Sequence, residues 1–417
     1  MPPRSDQISI PAAWIRGGSS NAVFYHEKDL PPEGPVRDRV LKRVMGTPDP
    51  IQIDGLGGTK AVTSKIAIVR PSTRPDADID YIFAQSGVRE DVIDYTANCG
   101  NISSGVGPFA IDEGLVREFR EGRSVDADKI RTQEVRIYNT GTEKVLISHV
   151  PIDAEGYSVA EGEYTMAAVP GTGAPILMDY RETVGASRNK GLLPTGNPRD
   201  RIEVQGQRVE ITIGDAGNLI VFVGAEEMGV SGHETAEHLT EKAGLLDRVR
   251  EVRGKAACLV GLCRDWRKVD EESPFMPMLV ILSGPPRGDY GEAHMSGRLF
   301  LDNMCHPSMA GTGAVSTAAM SRTKGTLVYD LVGQKAREKA VLNIAHPLGI
   351  IPVAVEVDED SDLPTFANLS FIRTARRLMD GKVYVPRKVF EGDIKGVNGT
   401  NGVNGVNGHG HAGNGRG

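Results

Sequence analysis

An α+β chain of two similar domains facing each other is the fold this sequence predicts. Three observations point there. The same order of segments runs twice along the chain, which is the signature of an internal repeat. Each run reaches a glycine-rich helix start at a corresponding place: Cys99-Gly-Asn101 in the first half and Ala310-Gly-Thr-Gly313 in the second. The length of 417 residues exceeds one ordinary domain and accommodates two of about 180 residues.

The elements follow in order. Asn21-Ala-Val-Phe24 reads as a strand, and Val36 to Met45, after Gly34, as an amphipathic helix. Their counterparts are the strand Asn218 to Phe222 and, after Gly232, a helical run from Glu234 to Val252. Next comes an apolar strand in each half, Ser64 to Val69 and Met278 to Leu282. The small, apolar run from Ser103 to Leu115 reads as a helix behind Cys99. Two strands follow it, Glu134–Tyr138 and Lys144–Ser148. In the second half Leu342–Ala345 and Ile351–Val357 take that place. A cleft between two such domains is a common ligand site.

Composition excludes several functions. The net charge is −7, and no basic stripe with interleaved aromatics appears, which argues against a nucleic-acid partner. No run approaches the roughly 20 apolar residues of a membrane span, and Met-Pro-Pro-Arg-Ser-Asp has no apolar signal core. A cytoplasmic setting with no membrane partner is therefore expected. Four cysteines, at 99, 258, 263 and 305, are too few for a disulfide scaffold and fit a reducing compartment. Cys258 and Cys263 lack zinc-ribbon spacing and a second pair, so no metal site is expected. From Lys395 the chain repeats Gly-Val-Asn-Gly and ends in a Gly/His/Asn run. With nothing to bury, 395–417 is expected to be disordered.

The chemistry concentrates around Cys99. A cysteine at a helix start sees the positive end of the macrodipole and unpaired N–H groups, which favour thiolate. The same N–H groups form a cradle for a carboxylate. The alternative is a buried structural thiol. Lys65 enters the apolar run Ile66 to Val69. There it is either a partly desolvated base or an exposed strand end. Arg16-Gly-Gly-Ser-Ser-Asn21 is a compact loop whose hydroxyls, N–H groups and guanidinium suit a carboxylate, or an ordinary turn. His306, ahead of Gly311-Thr-Gly313, is a binding or proton-transfer group or a buried, hydrogen-bonded histidine. Arg373 and Arg376 sit one helical turn apart, as an anion clamp or a solvated helix face. Walker loop, Rossmann fingerprint, His-Glu-x-x-His and Gly-x-Ser-x-Gly are all absent.

Several stretches resemble the PrpF family, which isomerises aconitate- and itaconate-type acids. They are Ile10–Ser20, Ile53-Asp-Gly-Leu-Gly-Gly58, Thr63-Ser-Lys65, Asn98-Cys-Gly-Asn101, Gly191-Leu-Leu-Pro-Thr-Gly196 and Arg373-Thr-Ala-Arg-Arg377. The resemblance runs in order from about residue 8 to 390. It implies a diaminopimelate-epimerase-like fold: two pseudo-symmetric domains, each a curved sheet around a central helix, with the site between them. The expected divisions are 8–185, 186–365, a C-terminal helix and strand over 366–394 returning to the first domain, and the tail. The resemblance also implies a cofactor-independent isomerase that shifts or rotates the double bond of an unsaturated tri- or dicarboxylate, with Lys65 and Cys99 as the acid/base pair. Substrate contacts are expected from Arg16, Ser19, Ser20, Asn21, Ser64, Asn98, Gly100, Asn101, His306, Gly311, Thr312 and Gly313. Besides the small-molecule substrate, a homodimer is allowed. An amino-acid racemase or epimerase, and a non-catalytic carboxylate-binding protein, are the competing readings.

Ser19-Ser20-Asn21 departs from the family's frequent Thr-Ser-Lys. Two registers also compete in the second half. Aligned on helix starts, Ala310 faces Cys99 and no second thiol exists; aligned on Cys-x5-Gly-x-Gly, Cys305 is the partner.

Overall fold

The computed structural model describes residues 6–95, 98–125, 130–185, 187–286, 292–301, 303–358 and 363–391. The expected disorder of 395–417 lies outside them.

The strand pairings repeat. In the first half, Ser20–His26 runs parallel to Lys65–Pro71, which is antiparallel to Ile79–Ser86. That strand is parallel to Thr132–Asn139, which turns back on Lys144–Pro151. In the second half the same sequence of senses joins Asn218–Gly224, Met278–Ser283, Met295–Leu301, Val341–His346 and Gly349–Val357. Ile176–Asp179 and Phe366–Arg373 pair with each other and join the two halves into one sheet. The parallel pairs arise because a helical crossover separates their strands in sequence.

Each half wraps its strands around one buried helix. In chain order the first six α-helices are α1 (Pro35–Met45), α2 (Gly100–Asp112), α3 (Ala236–Glu241), α4 (Leu245–Val260), α5 (Val269–Glu272) and α6 (Gly311–Met320), and three short ones follow among the described residues. α2 and α6 are the central ones. Every residue of α6 is buried, as is almost all of α2. Small residues allow the sheet to close on them. A Cβ at Gly107 would stand 2.7 Å from Val150, and one at Gly313 would stand 2.4 Å from Leu299, inside the contact distance of packed carbons. α1 instead covers the outer face of the first half. Strand alternation sends Val23, Tyr25, Ile66 and Ile68 to it, and Ala22, Phe24, Ala67 and Val69 to α2.

Two expectations need correction. The run Glu234–Val252 is two helices, broken at Gly244, which takes φ +74°, and the second extends to Val260. The stretch read as a C-terminal helix then strand is two strands, Phe366–Arg373 and Ala375–Pro386, followed by one helical turn, Lys388–Glu391. The long strand does pair with Gln7–Gly17 of the first half. An Arg373–Arg376 spacing of three residues mimics one helical turn. Here it joins opposite ends of a kink at Thr374.

Candidate active site

Cys99 is the N-cap of α2 and Ala310 the N-cap of α6, so helix starts set the register and Ala310 faces Cys99 across the pseudo-symmetry. The two N-termini meet. A Cβ on Gly100 would lie 3.0 Å from the Thr312 nitrogen. Asn218 ties them together: its Nδ2 donates to the Asn98 carbonyl (2.7 Å) and to Thr312 Oγ1 (3.0 Å), while its Oδ1 accepts from the Asn98 N–H (3.1 Å). The first N–H groups of both helices lack intrahelical acceptors by construction. A cleft opens beside them, lined by Cys99, Gly100, Asn101, Gly311 and Thr312 together with Lys65 and His306.

Lys65 reaches this cleft because it shares the α2-facing side of its strand with Ala67 and Val69. It is 4% exposed. Its cross-strand partner is Gln85, whose Oε1 accepts from Nζ at 2.5 Å. The Gln85 amide nitrogen donates to the carbonyls of Ala61, Ser64 and Ser86. That fixes the amide's orientation and commits its oxygen to Lys65. The Phe83 ring centroid lies 5.2 Å from Nζ. No carboxylate pairs with Lys65 among the described residues.

A chain of polar groups closes the cleft on one side. Asn101 Nδ2 donates to Ser19 Oγ (3.1 Å), which sits 3.3 Å from Ser308 Oγ. The Ser308 N–H donates to His306 Nδ1 (3.0 Å). A neutral His306 therefore carries its proton on Nε2, where it is a donor to the cleft. Burial, helped by the Lys65 charge, pushes the His306 pKa down to about 4, so the ring is neutral at pH 7. His149, buried beside Arg123, is likewise pushed down to about 4. The sign of the linkage follows. Between the unfolded value near 6.5 and the folded value near 4, the unfolded chain binds more protons, so stability falls on acidification. Going from pH 7 to pH 5 is expected to cost about 2 kcal/mol per such histidine. Urea unfolding at the two pH values checks it, and His149→Gln should shrink the difference by about 2 kcal/mol.

The predicted residues do not all converge. Ser20, Asn98, Gly100, Asn101, His306, Gly311 and Thr312 line the cleft with Lys65 and Cys99. Arg16 does not line it: its Nη1 donates to the carbonyls of Gly18 and Thr374, bracing the loop. Ser64 is spent on Gln52 (2.8 Å). Asn21 and Gly313 lie off the wall, and Ser19 faces a second cavity. Cys305 is buried away from the cleft, and burial pushes its thiol up to about 12. Residues that sequence reasoning missed are Gln85, Asn218 and the apolar wall of Phe83, Phe275, Met276, Met278 and Leu301. Only Asn218 carried a signal, as the first residue of a repeated strand; the strand registers pair it with Ser20, which also lines the cleft.

Comparison with known proteins gives one consistent result. A family model described as PrpF protein matches residues 7–386. The 3-methylitaconate isomerase of Eubacterium barkeri is 38% identical over 92% of this chain and 99% of its own. The 4-oxalomesaconate tautomerase of Pseudomonas putida is 36% identical over 93% and 99%. Among solved structures, a methylitaconate-delta-isomerase superposes with a TM-score of 0.73 at 36% identity, covering 93% of this chain and 98% of that one. A hydroxyproline epimerase from Agrobacterium vitis, 11% identical, has a TM-score of 0.55 over 93% and 95%. That likeness concerns the fold, which is of the diaminopimelate-epimerase type.

Proposed function

This chain belongs to the PrpF family, and we propose that it is an isomerase of unsaturated di- or tricarboxylates, relocating a proton between two carbons without a cofactor. One observation supports the mechanism: an amine and a thiol, Lys65 and Cys99, line one cleft together with two helix N-termini and His306. A substrate carboxylate there receives N–H groups from the first turns of α2 and α6. One of the two side chains removes a proton allylic to that carboxylate, and charge spreads into a dienolate. The N–H groups and His306 Nε2–H stabilise the developing oxyanion, each donor by about 3 kcal/mol. The other side chain returns a proton at a different carbon, or at the same one after rotation. A racemase reading asks for a thiol on each central helix. Ala310 occupies that place, and the Cys305 thiol lies outside the cleft.

The test is incubation with 3-methylitaconate, 2-methylaconitate and 4-oxalomesaconate in deuterated water, followed by proton NMR. At least one should convert with deuterium at the carbon that gains hydrogen, because ammonium and thiol protons exchange with solvent. Conversion without deuterium, or conversion of none, overturns the proposal. Activity should also survive exhaustive chelation. Loss restored by a single metal would replace the acid/base pair with a Lewis-acid route.

A further inference from the structure

The strand Ala375–Pro386 is paired on one side only. It lies antiparallel to Gln7–Gly17, and no strand takes its other edge among the described residues. A free edge presents a row of unpaired N–H and C=O groups, so exposed edges are ordinarily kept short and polar. This one is long and partly apolar. All five residues from Leu378 to Lys382 are exposed, and Leu378, Met379 and Tyr384 are 41%, 48% and 51% exposed.

The residues along the edge say what covers it. The pairing with Gln7–Gly17 slips between Trp14 and Ile15, which leaves Leu378 as a bulge, and a bulge interrupts regular pairing. At the other end Pro386 has no N–H to donate. Between them runs a regular edge, Met379–Val385. Two copies of such an edge pair antiparallel about a two-fold axis with one residue opposite itself, because side chains that oppose each other must share a face. With Asp380 or Lys382 on the axis, like charges oppose each other, which is unfavourable. With Gly381 on the axis, Asp380 faces Lys382 of the second copy, and the same contact recurs on the other side of the axis. Met379 then faces Val383, again twice. Both charges are available. Lys382 has no ion pair among the described residues, and Asp380, whose side chain is 62% exposed, accepts from Arg377 through one oxygen (2.8 Å). The axis is clear as well, since a Cβ on Gly381 would meet nothing within 4 Å.

We propose that this chain forms a two-fold dimer through the strand Ala375–Pro386, the two copies pairing antiparallel about Gly381 into one continuous sheet. The occupant of the edge is a second copy because the edge is complementary to itself in charge and in apolar contacts. The charge pairs set the register, and the apolar side chains that leave water add affinity. A closed two-fold pair covers both edges, so assembly stops at two.

Sedimentation equilibrium of the full chain tests this. The wild type should show twice the chain mass. Asp380→Lys and Lys382→Asp each set like charges face to face on both sides of the axis and should weaken the dimer by about tenfold or more. Combining the two restores unlike pairs and should bring the dissociation constant back to within about threefold of wild type. Far-UV circular dichroism checks that each single variant is folded. Gly381→Cys reads the register directly: this position faces its own copy, so oxidation should give a disulfide-linked dimer, whereas Met379→Cys, well off the axis, should not. A monomeric wild type, a dimer that both single variants leave intact, or a double variant that fails to recover would each overturn the proposal. Cross-linking through Met379→Cys in place of Gly381→Cys would overturn it too.

Discussion

Cys99→Ser is expected to lower kcat by roughly a thousandfold while leaving the melting temperature unchanged or raised. The stability half of this result comes from the position. Cys99 is an N-cap, and its thiol caps nothing. Serine is among the preferred N-caps, because its hydroxyl accepts from the second or third N–H of the helix. The substitution therefore satisfies a group that the wild type leaves open. The activity half comes from the same geometry. A serine hydroxyl ionises far too weakly to exchange a proton with carbon, and once turned onto the helix it occupies the N–H groups intended for the substrate's carboxylate. Cys99→Ala separates the two effects: it should lose turnover equally, without the added cap. Unfolding curves and steady-state rates of both variants decide the matter. Either variant within about threefold of wild-type kcat would remove Cys99 from the acid/base pair.

That trade explains why this part of the site was legible in the sequence. Glycine and asparagine directly after a thiol, ahead of a run of small residues, make a poor cap and a poor amphipathic helix. Local rules broken in this way mark functional positions. The central helices were legible for the same reason: Gly105, Gly107, Gly311 and Gly313 are costly in a helix unless something must approach closely. The rest was hidden by distance or by misleading periodicity. Gln85 is assigned to Lys65 only by strand register, and Asn218 reaches Asn98 across 120 residues. Arg373 was read as helical because an arginine at an inward strand position breaks the apolar alternation that identifies a strand. Lys65 by itself looked like a strand end. The family resemblance singles it out, and in the structure its amine is buried with an amide as its sole hydrogen-bond partner among the described residues.

Lys65→Met is expected to lower kcat by a similar factor, on the order of a thousandfold, with a much smaller change in KM. Methionine is the informative replacement because the other half of the molecule already carries one. Lys65 opens the strand that runs parallel to Ser20–His26, and Met278 opens the strand parallel to Asn218–Gly224. Both line the cleft. Cys99 and Ala310 stand in the same relation at the two helix starts. The fold thus supplies two equivalent pairs of positions, and only the first pair holds groups that can carry a proton. The second pair is apolar and shapes the cleft. Lys65→Met makes the halves alike at this position, so the change should be well tolerated by the packing. It removes a buried amine that has no carboxylate beside it among the described residues, which favours the folded state. It also leaves Gln85 Oε1 without a donor, at a cost of about 1–3 kcal/mol. These oppose each other, and the melting temperature should move by only a few degrees. If Lys65 instead anchored a carboxylate, its loss would appear as a raised KM at unchanged kcat. Steady-state kinetics on the substrate identified by NMR distinguish the two, and that second pattern would remove Lys65 from the acid/base pair and leave Cys99 in it.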